Sequence, residues 1–235
     1  MRIPTIHGYI DRRILVNYTG DLDVIGKIIP RPFRPQNYRG KAIIGICLIR
    51  LKHIKPKGFP DMIGVSSENA AHRIAVEWDE NGQTKTGVYI PRRDTSLWLN
   101  TLVGGRIFPG KHYLAKFNVQ EEKDKYNIDV LSSDQTRISI EAIETKKFDD
   151  NSIFKNISDV SSFFQNGNVG YSPCTSGFDG LRLNILNWNV KPLKVAHVRT
   201  SFFENETLFP KGSITFDNAL LMTNAEHEWH SIEPK

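Results

Sequence analysis

The chain has 235 residues, 39% of them hydrophobic and 24% charged, enough for one large domain with a full apolar core, and we read residues 1–235 as a single domain. Its net charge of +5 comes from 31 Lys and Arg scattered among 26 acids, which argues against a nucleic-acid partner. Cys47 and Cys174 lie far apart with no CxxC spacing, and no apolar run approaches the ~20 residues of a membrane span, so we expect a reduced, cytoplasmic protein with no disulfide framework, zinc site or membrane segment.

The first strand is expected from Ile10 to Tyr18, where apolar residues recur with period two. Asp21 is placed to cap a helix carrying Val24, Ile25, Ile28 and Ile29 as far as Pro30. Residues 41–52 are apolar on both alternating faces, as in a central strand covered on each side, and Pro56, Gly58 and Pro60 mark 53–64 as a loop. Ile74, Val76 and Trp78, then Asn81-Gly82, then Thr84, Thr86, Val88 and Ile90 form the clearest hairpin, with a dipeptide suited to a type I′ turn. A short helix over 95–103 would end at Gly104-Gly105 and deliver Arg106 to the next turn.

Tyr113 to Val119 and Tyr126 to Val130 make a second hairpin, and Arg137 to Ile143 a further strand. Ser158 is a candidate cap for a helix bearing Val160, Phe163 and Phe164. Tyr171 to Gly180 reads as a loop leaning over a site, and strands follow at 181–185, 193–202 and 214–222. His227-Glu228-Trp229-His230 has two histidines at i, i+3 without a placed third ligand, so it reads as a surface tail and no metal is expected. About ten strands with three short helices predict a mainly β protein, an antiparallel barrel-like double sheet.

Ionisable side chains concentrate between residues 66 and 117, beside glycines that let backbone and ligand approach: Glu68, His72, Arg73, Arg92, Arg93, Asp94, Arg106, Lys111 and His112. The order of motifs here and elsewhere resembles a family. Arg13-Ile14-Leu15-Val16-Asn17-Tyr18-Thr19-Gly20-Asp21-Leu22-Asp23-Val24-Ile25, ending in Ile29-Pro30-Arg31-Pro32-Phe33, looks like the opening of acetoacetate decarboxylase-like proteins. Ser67-Glu68, the hairpin, Gly105-Arg106 before a proline turn, and the segment from Pro192 to Met222 are similar to that superfamily's central and closing parts. The likeness covers nearly the whole chain and is nearest to the branch known as domain of unknown function 2071.

The resemblance implies a mostly antiparallel β fold around a small-molecule cavity, with Glu68 at the position of the family's pocket glutamate, no cofactor, and room for self-association. In the decarboxylases two adjacent lysines follow the proline; one forms a Schiff base and its neighbour's charge activates it. Here that stretch reads Pro109-Gly110-Lys111-His112-Tyr113-Leu114-Ala115, and the lysine pair is absent. Alternation puts Lys111 and Tyr113 on one face and His112 on the other, so only one set can line the cavity. Arg73 and Arg92 are candidate anchors for a substrate carboxylate, with a surface ion pair and a solvated strand exit as the ordinary alternatives.

Two functions follow. One is an enzyme acting on a small oxo acid, with Glu68 as acid or base, Lys111 or His112 as polarising group, and Arg73, Arg92, Arg106 and Tyr113 around the substrate. The other is a non-catalytic protein binding a small organic acid or apolar ligand. The missing lysine pair argues against Schiff-base decarboxylation.

Overall fold

In a computed structural model, residues 4–98, 110–175 and 177–235 are described. In chain order they form β1 (Ile6–Gly20), α1 (Leu22–Ile28), β2 (Arg34–Pro35), β3 (Asn37–Tyr38), β4 (Lys41–Pro56), a 3-10 turn (Asp61–Ile63), β5 (Val65–Glu80), β6 (Gln83–Thr95), β7 (His112–Glu122), β8 (Lys125–Ser132), β9 (Arg137–Glu144), α2 (Ile157–Asn166), β10 (Val169–Cys174), β11 (Gly177–Ile185), β12 (Lys191–Thr200) and β13 (Ile214–Ile232). All the strands join one sheet in the order β11-β10-β6-β7-β8-β9-β12-β13-β1-β4-β5-β2, with β3 on β4.

Two further pairings, β5 with β6 and β11 with β13, fold this sheet back on itself. It is not an evenly closed barrel, because β6 and β7 meet only through Arg93↔His112, Asp94↔Tyr113 and Thr95↔Leu114, in parallel, and β12 meets β13 only from Lys191↔Leu221 to Leu193↔Ala219. The sheet is therefore mixed, where an antiparallel one was expected.

The Asn81-Gly82 hairpin forms, with both turn residues at positive φ (51° and 74°) and Glu80↔Gln83 closing the ladder. β4 is buried on both faces from Ala42 to Leu48, as its unbroken apolar run requires. Its even residues, with Ile14, Val16, Ile74 and Val76, face the main core together with Ile128, Val130, Ile138 and Ile140. Its odd residues Ile43 and Cys47, with Leu15 and Leu220, face a second layer made by Phe154 and by Val160 and Phe164 of α2.

Several expectations need correction. The described residues hold thirteen strands rather than about ten, with two α-helices and one 3-10 turn rather than three helices. The helix expected over 95–103 and Arg106 fall largely or wholly outside the described residues. Asp21 stands at the start of α1 but its side chain makes no capping bond and instead accepts from Lys41 at 2.7 Å. α2 is capped by Asn156, whose side chain accepts the Asp159 N–H at 2.9 Å, and not by Ser158.

The expected loop at 171–180 is a hairpin, β10–β11. Pro173 is tolerated because Phe178, its register partner, sends its N–H to the Lys235 carbonyl at 2.7 Å, so no ladder bond is lost. The supposed tail at 227–230 continues β13 between β1 and β11, and His227 has 0% exposure. No helix among the described residues is long and apolar enough to cross a membrane.

Candidate functional site

Paired residues on neighbouring strands point to the same side of a sheet, so a register row fixes which side chains meet. One row runs Leu220, Leu15, Cys47, Ala71, Arg93 and His112 across β13, β1, β4, β5, β6 and β7. Two residues along the strands lies Met222, Arg13, Ile49 and Asn69; two residues the other way lies Asn218, Asn17, Gly45 and Arg73. The three rows share the face opposite the main core. Over them sits a cavity of about 270 Å³, walled by Gly170, Leu181 and Leu183 of the β10–β11 hairpin, by Phe164 and by Trp188 and Trp229.

The wall mixes apolar side chains with the polar Asn69, Gln165, Asn168 and Asn184, and it carries a group of cations. Arg73 is 4% exposed, donates to the Asn17 side-chain carbonyl, lies 4.3 Å from the Phe164 ring centre, and keeps its Nε without a partner. Burial pushes its guanidinium down to about 10, with nearby Arg13 adding to the effect against Cys47. Arg93 is likewise pushed down to about 10 by burial, and its Nε donates to Ser172 Oγ at 3.1 Å. Arg13 Nε donates to Cys47 Sγ at 3.3 Å while its Nη1 is buried and unpaired.

None of these three arginines forms an ion pair with a carboxylate among the described residues. Asp94 edges the cavity, but its carboxylate accepts from Arg92 Nε at 3.0 Å and Nη2 at 2.7 Å and from Ser132. Burial raises the pKa of Asp94 against those hydrogen bonds. His112 is pushed down to about 4 by burial and then by Arg93, so it is neutral at physiological pH. Its Nδ1 donates to the Gly110 carbonyl at 3.2 Å, which leaves the basic lone pair on Nε2.

Of the residues singled out in the sequence, Arg73, Arg93, Asp94 and His112 line this cavity, whereas Glu68, Arg92 and Tyr113 lie on the other face of the sheet. Glu68 is partly buried and bonded to Arg12 and Arg50, each at 2.5 Å, with Glu121 completing the cluster. Arg92 is held by Asp94 and Asp134, and its guanidinium lies 4.2 Å from the Tyr113 ring centre. Lys111 is exposed, with Nζ 4.7 Å from the same ring, and Arg106 lies outside the described residues.

Arg13 and Cys47 are cavity residues that sequence reasoning did not single out as a site, and Arg93 was noted only within the ionisable group at 66–117. The signal for Arg13 was faint but present: adjacent Arg12 and Arg13 in a strand send one guanidinium to each face. Cys47 and Ala71 are the small residues of the row, and the space above them is the cavity.

Solved structures place this architecture in the acetoacetate decarboxylase-like class. Acetoacetate decarboxylase from Legionella pneumophila matches with a TM-score of 0.60 at 12% identity, over 99% of this chain and 88% of that one. An acetoacetate decarboxylase-like enzyme from Sphingomonas wittichii gives 0.58 at 8%, over 100% and 95%, and the enduracididine biosynthesis enzyme MppR complexed with pyruvate gives 0.57 at 8%, over 100% and 91%. Within that fold class the chain belongs to the DUF2071 family, described as an uncharacterized conserved protein, whose model matches residues 10–216. No curated protein sequence matches it significantly.

Proposed function

We propose that the protein binds a small organic acid as its anion in the cavity over Cys47 and Ala71. The observation that carries this reading is the set of Arg13, Arg73 and Arg93 on one wall without a carboxylate partner among the described residues. A buried guanidinium without a counter-ion is costly, and a ligand carboxylate supplies both the charge and the paired acceptors that a guanidinium recognises. The leucines and tryptophans around it receive the acid's carbon skeleton. A relative of the same fold, MppR, is seen with pyruvate, which agrees with this ligand class at the level of fold analogy alone.

No lysine lines the cavity among the described residues, and Lys111 is directed outwards, so the reading is one of anion binding without a Schiff base. A second reading, acid–base chemistry on the bound acid, is favoured by His112, a neutral imidazole beside Arg93 with its lone pair on Nε2. Glu68 is left out of that role because Arg12 and Arg50 already engage its carboxylate.

The test is thermal unfolding and calorimetric titration with acetate, pyruvate, acetoacetate and benzoate. A ligand at a hundred times its Kd stabilises by about 2.7 kcal/mol, a rise of roughly 5–11 °C for a chain of this size. The gain should vanish in Arg73→Met. Absence of stabilisation by every acid in the series would remove the proposal.

A further inference from the structure

The cations of the cavity do not form one cluster. Arg13 folds over Cys47, fixed by its 3.3 Å hydrogen bond to Sγ, and Arg73 approaches the same end from β5, anchored on Asn17. Arg93 is drawn the other way by Ser172 of β10, and His112 lies beyond it in the row. Between Cys47 and Arg93 the row holds only Ala71. Two strand spacings of about 4.8 Å separate their backbone positions by about 10 Å.

We propose that the cavity takes a dicarboxylate, one carboxylate lying between Arg13 and Arg73 beside Cys47 and the other on Arg93, with the carbon chain over Ala71. The inference rests on the anion-binding reading above and narrows it. Charge supplies the first argument. With Asp94 engaged by Arg92 and His112 neutral, the wall carries three uncompensated positive charges. A monocarboxylate neutralises one and leaves the other pole without a counter-ion, while a dicarboxylate serves both poles.

Geometry supplies the second. Arg13, held on Cys47 Sγ, and Arg73, held on Asn17, bring two guanidinium groups to the Cys47 pole, so that pole is equipped for one carboxylate. The Arg93 pole needs another. Shortened by the reach of the side chains, the separation suits acids of about four to six carbons.

The experiment is calorimetric titration of the intact protein with acetate, butyrate and hexanoate, with malonate, succinate, glutarate and adipate, and with sulfate as a compact dianion. Succinate to adipate should bind at least about tenfold more tightly than the monocarboxylate of equal length, with malonate and sulfate well below them. In Arg93→Gln that advantage should shrink to about threefold or less.

Equal binding of mono- and dicarboxylates by the parent protein would overturn the two-pole assignment and leave anion binding standing. Sulfate matching the best dicarboxylate would overturn it too, since charge alone would then suffice. Failure of every acid to bind would remove both readings. The length series on the parent protein decides the question even where Arg93→Gln folds poorly.

Discussion

Replacing Arg73 by methionine separates a ligand-binding role from a structural one. Burial lowers the guanidinium from its ordinary value to about 10, and at about 1.4 kcal/mol per unit this costs the folded state about 3 kcal/mol. Both folded and unfolded states are protonated below pH 10, so the whole cost is present at neutral pH and fades only as pH rises above 10. Against it stand the hydrogen bond to Asn17, about 1.5–3 kcal/mol for a charged donor, and the contact with the Phe164 ring, up to about 2 kcal/mol.

These contributions nearly cancel, and methionine retains apolar contact with Phe164. Arg73→Met should therefore unfold within about 2 kcal/mol of the parent, or about 4–8 °C, while losing its stabilisation by pyruvate or succinate. Urea unfolding without ligand and thermal unfolding with it measure the two quantities. A loss above about 4 kcal/mol in the free protein would mean that the charge is compensated within the fold, and unchanged acid binding would mean that Arg73 does not hold the ligand.

The Glu68 cluster predicts the reverse pattern. Glu68→Gln leaves the nearly buried Arg12 with Glu121 alone, so stability should fall by about 2–4 kcal/mol by urea midpoint while acid affinity stays within about twofold; a large loss of affinity would return Glu68 to the ligand. Acid should weaken the fold early. Burial pushes His72 and His227 down to about 3 and His112 to about 4, so below pH 6.5 the unfolded chain takes up protons that the folded one refuses, and stability should drop by about 1.4 kcal/mol per pH unit for each. A flat stability profile between pH 7 and 5 would contradict that burial. Incubation with pyruvate and borohydride should give no reduced adduct by intact mass, because Lys111 points outwards; an adduct absent from Lys111→Ala would restore the lysine enzyme. Gly45→Ala should be strongly destabilising in urea, since its methyl would meet the Val16 carbonyl oxygen at 2.2 Å; a variant as stable as the parent would show that the strands can separate there.

Local chemistry made much of the framework legible. Strand periodicity, the Asn-Gly turn and the two-faced apolar run of β4 depend on residues within a few positions of one another, and these elements stand where the pattern puts them. Alternation also fixed that His112 and Tyr113 face opposite sides. What alternation cannot supply is which side holds the cavity, because that depends on strands far away in sequence.

Arg13, Cys47, Arg73, Arg93 and His112 come together only through the β1–β4–β5–β6–β7 pairings, and the wall above them only because β10 and β11 dock on β6 and β13. The same pairings carried Glu68 to the other face and drew residues 227–230 into β13. Sequence by itself determined the strongly periodic strands, the Asn81-Gly82 turn and the parity of side chains within them, since these are set by neighbouring backbone geometry. Tertiary structure alone decided the register of distant strands, and with it which charges were buried against carboxylates and which were left for a ligand.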